Sequence, residues 1–236
     1  MALGFVPGGS GNSVMCDLGT WDLEEAARII GEGKRAKMDV CTVRCGGEAS
    51  GAGETIASVN TCIMGLIGDI GVLAESYRWM GPSRYENVAA IKLLCNYKQH
   101  IRMTLTYKDG TEVIKDDFFL TCFCNMTQFF GKGLRAAPFA KLDDGVFDLV
   151  CIKAGVQTRG ELLAILKQAP SGAHYNNKNV ESYTCSRAVF DFDKPGVFNV
   201  DGEVVKHSGQ VVITCFQKHI DIFADVTKLA GGCKTK

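Results

Sequence analysis

The rhythm of hydrophobic and polar positions changes partway along the chain. Leu3-Gly4-Phe5-Val6 is a short apolar run that predicts a strand, followed by the turn Pro7-Gly8-Gly9-Ser10-Gly11-Asn12 and a helix through Val14-Met15-Cys16. Asp22-Leu23-Glu24-Glu25 is a capping-box pattern. Leu23, Ala26, Ala27 and Ile30 then fall at helical spacing, and Gly31 and Gly33 supply a stop. Met38 to Cys45 reads as a second strand. Two strands and two helices are fewer than a self-sufficient α/β sheet usually has, so residues 1–45 are expected to be the trailing part of an α/β nucleotide-binding domain.

From about Gly46 the period shifts towards two. Ile101, Met103, Leu105 and Tyr107 alternate with polar neighbours, and Asp109-Gly110 predicts a hairpin into Glu112–Ile114. Further strands are expected at Phe118–Cys124, Val146–Ile152, Tyr183–Phe192, Val197–Val200, Val211–Phe216 and His219–Phe223, with turns at Lys194-Pro195-Gly196 and Asp201-Gly202. Two helices interrupt them, Pro82 to about Cys95 and Thr158 to Ala169, the second opened by a Thr158/Glu161 capping box. The resulting fold class is α+β: a C-terminal antiparallel β-sandwich over residues 46–225, the partial α/β segment before it, and a tail at 226–236.

Composition narrows the function classes. Hydrophobic residues are 46% and charged residues 22%, an ordinary globular balance that excludes intrinsic disorder. Lys+Arg and Asp+Glu are both 26, so there is no net charge to drive nucleic-acid binding or a purely electrostatic membrane anchor. Eleven cysteines occur without a CxxC pair and mostly inside apolar runs; this pattern points to free thiols in a reducing, cytoplasmic compartment rather than a zinc or disulfide scaffold. The start MALGFVPGGSGN has neither a basic nor a long apolar segment, so no signal peptide is expected. The apolar run Cys62–Gly68 stops at Asp69, far short of the roughly 20 residues of a membrane span.

Three motifs carry candidate chemistry. The glycine-rich turn 7–12 joins a strand to a helix, where free N–H groups and the helix dipole suit a phosphate, although such turns are also simply tight turns. It matches neither the GxGxxG fingerprint nor a P-loop. Around Gly81-Pro82, Arg78 and Arg84 could converge on one polyphosphate or could each make a surface ion pair. In Asn199-Val200-Asp201-Gly202-Glu203, the acids Asp201 and Glu203 at a hairpin tip could hold Mg²⁺ through water, or the residues could form a turn and nothing more.

The order and spacing of these motifs resemble the diacylglycerol, sphingosine and ceramide kinases, nearest to the sphingosine (long-chain-base) kinases. The specific stretches are PGGSGN at 7–12, GLIGDIG to ESYRWMGPSRY at 65–85, AAPFAKLDDGVFDLV at 136–150 and GVFNVDGEV at 196–204. The resemblance implies a lipid kinase that moves the γ-phosphate of ATP, with Mg²⁺, to a lipid hydroxyl while docked transiently on a membrane surface; the partial α/β segment leaves a homo-oligomer or an exposed edge as the two ways its sheet could end. It implies that Gly9, Ser10, Gly11 and Asn12 contact nucleotide, that Arg78 and Arg84 grip its phosphates, and that Gly202 and Glu203 reach towards nucleotide and metal with Asp201 in support. Asp69 would line the lipid side, and Asp143 and Asp144 would form a structural acidic turn.

Two departures from the family pattern shape the expectation. The Gly-Gly-Asp-Gly motif whose Asp is the family's base has no counterpart in this sequence, so no catalytic residue is assigned and the chain is expected to be an incomplete kinase, inactive alone. Gly71 stands where sphingosine kinases carry a carboxylate for the substrate ammonium, which leaves ceramide or diacylglycerol as alternative substrates. A non-catalytic lipid-binding relative and an NAD-kinase-like soluble enzyme are the competing readings.

Overall fold

The computed structural model describes residues 1–9, 11–46, 54–77, 79, 81, 88, 98–131, 133–156 and 159–229. The described residues form twelve strands: β1 (Ala2–Leu3), β2 (Arg35–Cys45), β3 (Glu54–Ser58), β4 (Thr61–Gly65), β5 (Gln99–Thr106), β6 (Glu112–Asn125), β7 (Phe147–Lys153), β8 (Val180–Cys185), β9 (Arg187–Phe192), β10 (Gly196–Val200), β11 (Glu203–His207) and β12 (Gln210–Phe223). Four helices accompany them: α1 (Ser13–Asp17), α2 (Leu23–Gly31), α3 (Leu66–Glu75) and α4 (Arg159–Gln168). The strands run in the order β11-β10-β4-β6-β5-β9-β12-β2-β3. β7 and then β8 branch from β6, and the short β1 lies parallel to the end of β12. Every other pairing is antiparallel.

Period-two alternation builds the core. Cys41 and Val43, Cys62 and Met64, Ile101, Met103 and Leu105, Cys122 and Cys124, Phe147, Leu149 and Cys151, and Val211 and Ile213 all point inward into one cluster. β4, the second half of β6 and most of β7 are buried on both faces, which is why Thr61–Gly65 and Phe119–Asn125 are nearly continuous apolar runs. Their outer faces are covered by Ala137 and Ala140 and, further along, by α3 and α4 through Leu66, Ile70, Leu162 and Ile165. The run Cys62–Gly68, long enough to raise the question of a membrane segment, is thus β4 turning into α3. Among the described residues no helix is long and apolar enough to cross a membrane.

The glycines at that junction are required by contact. A Cβ on Gly65, whose φ is +83°, would lie 2.6 Å from the Leu120 carbonyl oxygen, and one on Gly68 would lie 2.5 Å from the Ile63 carbonyl oxygen. Only the bare backbone lets α3 sit this close to β4 and β6.

Several elements differ from those expected. Glu112–Ile114 and Phe118–Cys124 are one strand, β6, because Lys115, Asp116 and Asp117 keep pairing with Met103, Arg102 and Ile101 across the hairpin. Val211–Phe216 and His219–Phe223 are likewise one strand with a bulge between Phe216 and Ile220, where Lys218 takes φ 51°. The expected strand Tyr183–Phe192 divides at Ser186, whose N–H and hydroxyl both donate to the Thr106 carbonyl, so β8 pairs with β7 while β9 pairs with β5 and β12. β3 and β4 had no strand expectation. Of the helix expected from Pro82, only Val88 is among the described residues, helical and buried; the Thr158 cap lies outside them.

β2, which lies before residue 46, is paired along its length with β12 and on its other edge with β3. α1 and α2 pack against β2 and β12 through Met15, Leu18, Ala26, Met38 and Ile222. α2 opens as its sequence requires, with the Asp22 carboxylate accepting from Glu25 N–H at 2.7 Å.

Candidate functional site

The glycine-rich loop is shaped from within and tethered from behind. Asn12 adopts a left-handed backbone (φ 48°) at the start of α1, and its side-chain oxygen reaches back to accept from Gly9 N–H at 3.0 Å instead of capping the helix. A Cβ on Gly11 would come within 3.4 Å of Gly131 Cα, so the loop lies against the segment after β6. The Ser13 hydroxyl accepts from Gly131 N–H at 2.8 Å. One helical turn on, the buried Asp17 carboxylate accepts from the N–H groups of Gln128 (2.8 Å) and Phe129 (3.3 Å). Burial pushes the Asp17 carboxyl up to about 7, against the opposing pull of those two N–H groups and of Arg135.

The acidic hairpin between β10 and β11 is held more firmly. Asp201 and Gly202 both take positive φ (50° and 101°), and Gly202 N–H donates to the Asn199 side-chain oxygen at 2.9 Å. The Asp201 carboxylate accepts from Ser58 Oγ (2.8 Å) and from the N–H groups of Val59 (2.8 Å), Asn60 (3.1 Å) and Thr61 (2.8 Å), which closes the β3–β4 turn over it. Three of these donors converge on Oδ1 and one on Oδ2, so Asp201 frames the turn; Glu203 is exposed at the start of β11. Among the described residues no group of three His, Cys, Asp or Glu side chains is placed to hold a metal ion.

These two motifs, nearly the length of the chain apart, are joined by one strip of backbone. Thr61 Oγ donates to the Asn125 side-chain oxygen at 2.8 Å, Met126 N–H to the Asn60 carbonyl at 2.9 Å, and Thr127 Oγ to the Asn60 side-chain oxygen at 2.6 Å. The next residues, Gln128 to Gly131, are those that hold Asp17 and Ser13. Segment 125–131 thus ties the Asp201 turn on one side to α1 and its glycine-rich loop on the other.

The acidic turn at 143–144 is tied into the fold from behind. Buried Asp39 accepts from Gly145 N–H and Lys218 N–H, each at 2.6 Å, and donates its own N–H to the Leu142 carbonyl at 2.7 Å. It binds the 142–145 turn to the β12 bulge, and burial holds its carboxyl above the usual range. Asp143 faces Lys218 Nζ at 3.3 Å.

Of the expected site residues, Gly9, Gly11 and Asn12 form the loop, Gly202 and Glu203 the hairpin tip, and Asp69 stands half-buried in the first turn of α3. Ser10, Arg78 and Arg84 lie outside the described residues. Sequence reasoning missed Ser13, Asp17, Asp39, Asn60 and Asn125. Two of these carried a signal: Asp39 is a lone charge in the apolar run Met38–Val43, and Asp17 is an acid at a helix C-terminus, where the dipole disfavours it and an outside partner is implied.

Comparison with known proteins places this geometry. Sphingosine kinase 2 of Arabidopsis thaliana is 25% identical over 265 residues, covering 92% of this chain and 53% of that protein. Ceramide kinase 1 of Caenorhabditis elegans is 25% identical over 243 residues, covering 86% and 43%. The chain spans about half the length of the curated relatives it matches. A putative diacylglycerol kinase from Bacillus anthracis str. Sterne shares the fold, with a TM-score of 0.70 at 19% identity over 96% of this chain and 70% of that one. Residues 57–224 match the YegS C-terminal NAD kinase beta sandwich-like domain, and by that match, which takes in β4 to β12, α3, α4 and the acidic hairpin, the chain belongs to the lipid kinase family built on this domain.

Proposed function

We propose that this chain is the lipid-facing and nucleotide-framing region of a kinase that transfers the γ-phosphate of ATP to a lipid hydroxyl, with a sphingoid base as first choice of substrate and ceramide or diacylglycerol as alternatives. The observation that carries the reading is the hydrogen-bonded strip 125–131, which fixes the glycine-rich loop and the Gly202–Glu203 tip to one piece of backbone. Phosphoryl transfer needs chiefly positioning and charge neutralisation, so a shared frame for two ligand-facing turns is the arrangement it requires. In this reading Gly9, Ser10, Gly11 and Asn12 embrace phosphate and Arg78 and Arg84 neutralise it. Glu203 faces the nucleotide. Mg²⁺ would arrive with the nucleotide and offset its charge, with Asp201 and Glu203 as the acids that would meet it through water.

On the lipid side, α3 and α4 form an apolar layer over Leu120 and Ile152, with Asp69 in the first turn of α3. Beyond the end of α3, Tyr77 and Trp79 are exposed, Trp79 at 80%, and we assign them to transient contact with a membrane surface in the cytoplasm. The family's base has no counterpart in the sequence, so the chain by itself is proposed to bind nucleotide with little or no turnover.

The test is a radiolabelled-ATP assay with sphingosine, ceramide and diacylglycerol in mixed micelles, run beside nucleotide binding by fluorescence. Nucleotide binding that Glu203→Ala weakens, with negligible phosphorylation of any lipid, is the expected result. Robust turnover by this chain would overturn the incompleteness, and absence of nucleotide binding would overturn the kinase reading.

A further inference from the structure

Strand register places cysteines directly opposite one another at three points of the core: Cys41 and Cys215, Cys62 and Cys124, and Cys122 and Cys151. The three are not equivalent. In an antiparallel ladder a residue's N–H and C=O point to the same neighbour, and directly opposed residues that do not bond each other bring their Cα atoms to about 4.5 Å, inside the range a disulfide spans. Cys215 N–H donates to the Ser186 carbonyl on the far side of β12, at 2.8 Å, so towards β2 the Cys41–Cys215 pair is of this closer kind. The thiols of Cys41 and Cys215 are in hydrogen-bond contact, as are those of Cys122 and Cys151. The Cys62 thiol instead donates to Ser58 Oγ at 3.7 Å.

Access separates the two close pairs. Cys122 and Cys151 are both sealed in the core, whereas Cys41 is sealed but Cys215 is only partly buried, one residue before the β12 bulge. All four are free thiols. We infer that Cys215 and Cys41 form an oxidant-gated pair that closes to a cross-strand disulfide in the folded protein, while Cys122 and Cys151 stay reduced.

The step balances with a peroxide as the two-electron oxidant. Cys215 sulfur attacks one peroxide oxygen, the O–O bond breaks, and the thiol proton leaves with the departing oxygen as water, giving a sulfenic acid. Asp39 Oδ2, 4.0 Å from Cys215 Sγ, is the carboxylate oxygen facing that proton. Cys41 sulfur then attacks Cys215 sulfur, the S–O bond breaks, and the Cys41 proton leaves with the hydroxyl as a second water. The bond would staple β2 to β12 beside the bulge that Asp39 and Lys218 organise.

Oxidation of the folded chain with hydrogen peroxide, alkylation, and intact-mass and peptide mapping test this. The expected product has lost two hydrogens, with the bridge mapped to Cys41–Cys215. Cys122 and Cys151 should become alkylated only after unfolding. Cys215→Ser should abolish the bridge, and Cys41→Ser should leave a Cys215 sulfenic acid that dimedone captures; a circular-dichroism melt confirms that each variant folds. No bridge in folded wild type under an oxidant that does modify Cys215, or a bridge at Cys122–Cys151 under the same conditions, overturns the inference.

Discussion

The two turns proposed to face a ligand are held in opposite ways. The hairpin tip at 199–203 is anchored at its centre, where Asp201 gathers four donors from the β3–β4 turn and Asn199 fixes Gly202. Among the described residues the glycine-rich loop has one internal bond, Gly9 to Asn12, and is held at its ends, by β1 paired with β12 before it and by Ser13 and Asp17 in α1 after it. One turn is fixed at its centre and the other at its flanks. Ligand-binding loops are drawn from the less stable parts of a fold, and a loop proposed to admit and release nucleotide gains from having its anchors outside it.

The contrast is broken most sharply at Asp201. Asp201→Ala removes the acceptor for three backbone N–H groups and a hydroxyl, and is expected to cost about 3 kcal/mol of stability. Glu203→Ala, two residues away and exposed, should change stability by less than about 0.5 kcal/mol while weakening nucleotide binding. Denaturant titration with fluorescent-nucleotide binding on both variants separates frame from ligand contact. Equal destabilisation by the two would show that the tip is not organised around Asp201.

At the other turn the anchor responds to pH. The Asp17 carboxyl has an ordinary value of 3.8 and is raised to about 7 in the fold. Between those values the folded protein keeps a proton that the unfolded chain has released, so this group's contribution to stability is full below the window and declines as pH rises through it. Three units at about 1.4 kcal/mol each set an upper bound of about 4 kcal/mol. Asp39 and Asp148, raised in the same direction by burial, add a slope of the same sign. They are present in wild type and in Asp17→Asn, so the difference between the two profiles isolates Asp17. Urea titrations across the window should show a shallower fall for Asp17→Asn; parallel profiles would remove Asp17 as the sensitive anchor.

The same contrast explains what could be read from the sequence. Local signals were legible where one short stretch decides the structure. The Asp22 cap and the Asp109-Gly110 hairpin, whose Gly110 takes φ +85°, both depend on neighbours within a few residues. Long strands were not legible, because β6 and β12 continue through polar residues only by virtue of partners supplied from far along the chain. Segment 125–131 was illegible for the same reason. Asn125 looks unremarkable alone, and although Asp17 at a helix C-terminus implies some partner, which one it has is decided only by Gln128 and Phe129 across the fold, as Thr61 decides for Asn125.

A smaller effect sharpens the comparison within α3 itself. Gly65 and Gly68 are fixed by backbone contacts under 3 Å, but a Cβ on Gly71 would meet nothing within 4 Å. Gly71→Asp should therefore fold normally: an aspartate is no worse than glycine inside a helix, and the stability change should stay within about 1 kcal/mol. Gly68→Ala, by contrast, drives a Cβ into the Ile63 carbonyl and should destabilise clearly. If the face of α3 that carries Gly71 meets the lipid headgroup, the added carboxylate creates an ion pair for an ammonium and none for a neutral amide or glycerol headgroup. Binding to micelles containing sphingosine should then strengthen, with the gain lost at high salt, while binding to micelles containing ceramide stays unchanged. Equal responses to the two lipids would move the headgroup away from α3, and with it the argument that residue 71 helps decide which lipid is taken.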